Sequence, residues 1–254
     1  MYRAALCIAG LTLFGAQPLL GQEQERQPNH VYEALYRISS ADMDEWNQQY
    51  REYSVPVLRA LQEEGVIQGW NQWQHQTGSE YNIRFAVRTY DWASLGTFWD
   101  EYLSRLQEAM PEEAWQSGSR MIVEHRDEIW DIGDVHVPAD MQATHIYAST
   151  FRVNFADMAE WNRMWTEMAA PILEQAVNDG LLLGWVKLNH NTGGPHNSKI
   201  LYFFDSWDDI DDLFARLGQT MEEEHPGEMT RIGELSQAHD DVIWVPTSES
   251  DSEG

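Results

Sequence analysis

The chain has 254 residues with 42 acidic and 16 basic side chains, a formal charge of −26 and a single cysteine. Such an excess of acid excludes a nucleic-acid partner, since phosphate binding needs a positive surface. One cysteine excludes a disulfide framework within the chain.

The N-terminus reads as a secretory signal peptide over residues 1–21: a positive start at Arg3, an apolar run from Ala4 to Ala16, and small Gly21 before a polar stretch. Cleavage there removes Cys7 and one arginine but no acid, taking the formal charge from −26 to −27. A cysteine-free mature chain excludes thiolate metal sites and cysteine nucleophiles. The expectation is a secreted or periplasmic protein with no membrane attachment after cleavage.

A first strand is predicted at His30 to Ile38, HVYEALYRI, by its alternation. An amphipathic helix follows, with Met43, Trp46, Tyr50, Val57 and Leu61 on one face. Asp42 and Glu45 have the spacing of an N-cap and its reciprocating partner. Pro56 implies a kink or break inside the helix, and Gly65 a stop. A second strand, VIQGWNQWQH, leads through a QTGS turn to a third strand at Asn82 to Tyr90. A second amphipathic helix carries Leu95, Phe98, Tyr102 and Leu106, and a closing strand contains DEIWDI.

The same order then returns. Residues 30–92 align on 145–207 at a constant shift of 115 without a gap, and about 20 of the 63 positions are identical. ADMDEWN at Ala41 to Asn47 becomes ADMAEWN at Ala156 to Asn162, and HRDEIW at 125–130 becomes HDDVIW at 239–244. The reading is α+β: two tandem βαββαβ units, at 30–132 and 144–246. A linker at 133–143 joins them, and an acidic disordered tail at 247–254 follows.

One polypeptide holding two such ferredoxin-like units resembles the dimeric α+β barrel superfamily, with NIPSNAP-like and stress-responsive barrel proteins nearest in pattern. The resemblance implies that the units pack as an intramolecular α+β barrel, each burying a sheet face that it cannot bury alone. It also implies a pocket between sheet and helices. Known members include haem-degrading and quinone-forming monooxygenases and chlorite dismutases.

Six of the nine histidines fall at repeat-equivalent places: His30, His75 and His125, then His145, His190 and His239. Imidazole is the side chain best placed to act as acid, base or ligand near neutral pH. His30 and His75 are expected to converge on one pocket mouth; with Tyr32, Trp70 and Asn82 they are the candidate ligand-binding residues of the first unit, and His145, Tyr147, Trp185, His190 and Asn197 are their counterparts. His125 with Asp127, and His239 with Asp241, would each share a strand face, at the far end from the first strand's start; as metal ligands they are weak candidates. HxTG also reads as plain hairpin chemistry, and the tryptophans as core.

The leading expectation is a protein that binds a small apolar or aromatic molecule between sheet and helices. The rivals are a cofactor-independent or haem-linked monooxygenase-type enzyme using a pocket histidine, and a non-catalytic interaction module. Haem is a possible cofactor on the resemblance, with His75 and His190 as its test residues. Oligomeric state is left open.

Overall fold

A computed structural model describes residues 30–138 and 141–247. The expected signal peptide and the tail beyond Thr247 lie outside the described residues. The first half runs β1 (His30–Ile38), α1 (Met43–Gln49), α2 (Val55–Glu63), β2 (Gly69–Thr77), β3 (Ile83–Thr89), α3 (Trp92–Ala109), α4 (Glu112–Met121) and β4 (Ile122–His136). The second repeats it as β5 (His145–Val153), α5 (Met158–Met164), α6 (Ala170–Asn178), β6 (Gly184–Thr192), β7 (Ser198–Phe204), α7 (Asp208–Glu224), α8 (Glu228–Leu235) and β8 (Ser236–Pro246). Among the described residues no helix is long and apolar enough to cross a membrane.

The strands close into an antiparallel barrel in the order β1-β3-β2-β8-β5-β7-β6-β4. Each half contributes four strands, and the seams are β2 against β8 and β4 against β6. Closure leaves no unpaired edge. It also accounts for a difference from the sequence reading: β4 runs on through residues 133–136 of the expected linker, because Val135 and His136 pair with Val186 and Trp185 across the seam.

Alternation divides the side chains between two environments. Val31, Leu35, Trp130, Ile146, Leu188 and Trp244 point into the barrel and pack on one another across both halves. Tyr32, Ala34, Trp70, Phe85 and Val87 face outward under α2 and α3, and Trp185, Ile200, Tyr202 and Phe204 do the same under α6 and α7. The hairpins interlock the halves. Gly78 at φ +97° leaves so little room that an added Cβ would lie 2.0 Å from the Asp241 carbonyl oxygen, and Gly193 at φ +84° stands equally close to the carbonyl of Asp127. A side chain fits neither the conformation nor the gap.

The helix before each proline breaks as expected, and in a defined way. Tyr50–Ser54 and Trp165–Ala169 are π-helical turns, after which Pro56 and Pro171 occupy the first turns of α2 and α6. The wider turn accommodates a ring that lacks an N–H and would otherwise meet the preceding carbonyls.

The expected caps are not formed. Asp42 and Asp157 stand at N-cap positions, but their backbones are already helical and neither side chain makes a capping bond. An N-cap needs an extended backbone to turn its oxygen onto the first free N–H groups. The partner acids reach neighbouring helices instead: Glu45 accepts from Ser117 on α4, and Glu160 from both Arg231 Nε and Nη2 on α8 at 2.8 and 2.7 Å. A reciprocal capping box does occur at Asp91 and Ser94, opening α3.

Candidate functional site

The residues singled out by the repeat separate into structural and cavity-lining groups. Asn82 and Asn197 are structural. The Asn82 amide donates to the Ile38 carbonyl at 2.7 Å and accepts from the Ile38 N–H at 2.8 Å; Asn197 does the same for Val153 at 2.6 and 2.8 Å. Each side chain thus completes the pairing at the end of the first strand of its half. Trp70 and Trp185 lie in the cores under the helices, 2 % exposed, and line neither the helix-side cavities nor the barrel interior.

His30 and His75 do not converge. Gly69 at the start of β2 and His30 at the start of β1 pair with adjacent residues of β3, Arg88 and Thr89, so His75 lies towards the opposite end. Two strands antiparallel to the same third strand are parallel to each other, and their starts share an edge. His30 pairs with Asp131 at 2.8 Å and packs on Trp92; His145 pairs with Thr144 at 2.8 Å and packs on Trp207. His75 and His190 belong to their hairpins. His75 Nε2 accepts from the Ser79 N–H at 3.2 Å, whereas His190 Nε2 donates to the Gly193 carbonyl at 2.6 Å. Burial lowers the pKa of both His75 and His145.

Of the HxD pairs, His239 with Asp241 lines a cavity, and His125 with Asp127 lines none. His125 Nε2 lies 2.8 Å from Asp127 and His239 Nε2 lies 2.9 Å from Asp241, each pair on the helix-facing side of its sheet and at the far end from His30. The histidine of each pair stacks flat on the aromatic directly across the ladder, His125 on Tyr36 and His239 on Phe151, with centroids 4.7 and 4.4 Å apart. Tyr32 donates its hydroxyl proton to Asp127. In the second half Ser149 donates to Asp241 at 2.7 Å, and the Tyr147 phenol lies beside the same carboxylate. Burial first, then the Asp241 charge, raises the Tyr147 pKa well above that of free tyrosine.

The halves differ in what stands over this floor. Under α7 and α8 a cavity of about 670 Å³ is lined by Tyr147, Ser149, His239 and Asp241 on the sheet, with Trp161, Trp165, Phe214 and Met229 among the helix residues. The corresponding cavity of the first half is about 260 Å³. At the positions of Phe214 and Leu217 the first half carries Trp99 and Tyr102. Trp99 packs edge-on to Tyr32 at 4.6 Å, and Tyr102 stacks on Phe85 and Phe98. The larger rings fill the space that the second half leaves open. That asymmetry is legible in the sequence once the two helices are aligned, at positions where the repeats differ rather than where they agree.

Among the described residues no three His, Cys, Asp or Glu side chains gather as a metal site, and each HxD pair offers two. A haem group held by histidine needs an imidazole nitrogen directed into its pocket. His239 is the one histidine lining the larger cavity; its ring lies flat on Phe151 and its Nε2 is held by Asp241. His190 is turned into its hairpin. The residues present do not fit histidine-ligated haem.

No protein-family model matches the sequence, and no curated protein does. Solved structures of similar shape exist at low identity. A candidate monooxygenase from Fusobacterium nucleatum superposes with a TM-score of 0.58 at 9 % identity, over 86 % of this chain and 92 % of that one. A candidate chlorite dismutase gives 0.54 at 10 % identity, over 89 % and 98 %. A heme-binding protein from Thermus thermophilus gives 0.51 at 8 % identity, over 87 % and 92 %. Closed antiparallel topology, helices outside the barrel and these superpositions together give the chain the fold of the dimeric α+β barrel superfamily.

Proposed function

We propose that the protein binds one small, largely apolar or aromatic molecule in the second-half cavity, seated on Tyr147, Ser149, His239 and Asp241. The carrying observation is the pairing of a large aromatic- and methionine-lined space with a few convergent polar groups on a rigid sheet, the usual make-up of a small-molecule site. The halves derive from a tandem duplication of a ferredoxin-like unit, and the copy whose α3 acquired Trp99 and Tyr102 has lost its site. The N-terminal signal supports export, and with it a secreted or periplasmic setting for this activity.

Trp161 and Trp165 line the cavity, so intrinsic fluorescence reads occupancy directly. With 2-naphthol as probe, saturable quenching is expected for the native protein. It should vanish in a Phe214→Trp, Leu217→Tyr variant that copies the first half. Quenching that never saturates, or that persists unchanged in the filled variant, rejects the site.

A second reading is favoured by one observation, the His239–Asp241 pair within the cavity. A carboxylate that orients an imidazole makes it a competent general base. The enzyme version is a cofactor-independent, monooxygenase-type reaction on a bound phenol, with dioxygen as co-substrate. It predicts oxygen consumption with an electron-rich phenol that His239→Gln removes while 2-naphthol still binds. The interaction-module reading has no comparable support, since it leaves a cavity of this size without an occupant.

A further inference from the structure

The barrel interior holds a second cavity, independent of the one between sheet and helices. Its volume is about 360 Å³, and it opens beside the β2–β3 hairpin. The charges on its wall are unevenly paired. Glu33 accepts from Arg84 and Lys199, the repeat-equivalent cations of the two halves. Glu128 accepts from Lys199 at 3.1 Å and from the Trp130 indole at 3.0 Å. Two buried carboxylates therefore hold two buried cations, a third cation, Arg126, stands half-exposed beside Glu128, and Glu80 and Asp240 complete the charged lining.

The Arg126 guanidinium lies 4.8 Å over the Tyr81 ring, with Nε 3.1 Å from Glu128 but outside hydrogen-bond geometry. Neither of its terminal nitrogens has a hydrogen-bond partner among the described residues. Around it, Leu35, Ala148, Val242 and Trp244 supply apolar wall. The other nearby acids are engaged or exposed: Glu124 holds Arg37 and Tyr81, Asp240 faces His196 at 3.1 Å, and Glu80 is on the exposed rim.

We infer that the barrel interior is a binding site for a small organic carboxylate, with the Arg126 fork taking the anion and the apolar wall its body. A planar guanidinium with unused N–H groups matches a carboxylate in two parallel bonds. The half-exposed Arg126 fork engages an anion by short-range contact although Glu80 and Asp240 also line the cavity and the chain as a whole is acidic, because charges at a distance act through screened solvent. The site is separate from the helix-side cavity and does not depend on what binds there.

Benzoate and its neutral isostere benzamide test this by isothermal titration calorimetry on the full chain. Benzoate is expected to bind saturably, with benzamide about tenfold or more weaker, the scale of a charged hydrogen bond. Arg126→Gln should erase that preference, and Arg126→Lys should retain part of it; Glu128 keeps Lys199 and Trp130 in both. The Phe214→Trp, Leu217→Tyr variant should bind benzoate as the native protein does. The inference is overturned if benzoate shows no saturable binding, if benzamide binds equally well, if Arg126→Gln keeps the preference, or if filling the helix-side cavity abolishes binding.

Discussion

A carboxylate shared by several neighbours is sensitive to losing its charge. Asp241 holds His239 and Ser149 and lies against Tyr147, so Asp241→Asn should weaken 2-naphthol binding by about tenfold, from the roughly 1.5–3 kcal/mol of a hydrogen bond to a charged group. The tyrosine gives a pH signature with a definite sign. Burial raises the pKa of Tyr147, and also of Tyr32, Tyr36 and Tyr202, so the fold favours the protonated phenols. Their contribution to stability is fully present below the unfolded-state value near 10 and is lost as pH rises through the folded values. Denaturant midpoints should therefore hold steady towards pH 10 and fall above it; a midpoint unchanged through strong alkali would contradict the buried phenols. Asn82→Ala makes the contrasting case. It removes two strand-end bonds and should cost about 1–3 kcal/mol in chemical denaturation while leaving ligand affinity intact. Sequence repetition marks Asn82 and Asp241 equally, because residues needed at strand ends recur between the halves as faithfully as those facing a cavity.

At the scale of elements, α3 and α7 share their buried positions and differ where it matters. Leu95, Phe98 and Leu106 are matched by Ile210, Leu213 and Met221, all buried, and helical periodicity alone identifies them. Between them lie Trp99 and Tyr102 in one helix, Phe214 and Leu217 in the other, and these set the cavity volumes. Phe214→Trp with Leu217→Tyr should raise stability by about 1–2 kcal/mol, as cavity filling commonly does, while abolishing probe binding. The reverse pair, Trp99→Phe with Tyr102→Leu, should cost about 2–5 kcal/mol and give the first half a measurable affinity for 2-naphthol. Equal fluorescence titrations before and after either exchange would break the link between these four side chains and the site. The strands β1 and β5 are legible to the residue because runs rich in β-branched and aromatic residues end at polar, turn-forming ones; alternation alone marks a strand poorly when one face is buried under helices and the other inside a barrel. The caps were not: a sequence spacing of three carries no information about whether the residue before a helix is extended or, as at Asp42 and Asp157, already turned.

The closed barrel makes the two halves one cooperative body, a consequence that the repeat implied but whose charged centre it concealed. Periodicity assigns Glu33, Arg84, Glu128 and Lys199 to inward-facing strand positions that ordinarily hold apolar residues, and nothing local reveals that strands from different halves bring them together. Lys199 comes from β7 yet its ammonium sits on Glu33 and Glu128 of the first half and 4.2 Å over the Trp130 ring. Burial would push the Glu33 carboxyl up, but Arg84 and Lys199 outweigh it and hold the pKa well below the usual carboxylate range. Removing one partner of such a set leaves a charge buried without compensation. Lys199→Met should cost about 3–5 kcal/mol, more than an exposed ion pair such as Arg163 with Glu167 is worth. Because the network spans both halves and the seams hydrogen-bond them edge to edge, that loss should appear in a single unfolding transition, read identically by tryptophan fluorescence and by circular dichroism. If Lys199→Met instead split the transition in two, with one half melting early, the halves would be separable bodies and the barrel interior could not be the common core that its contacts describe.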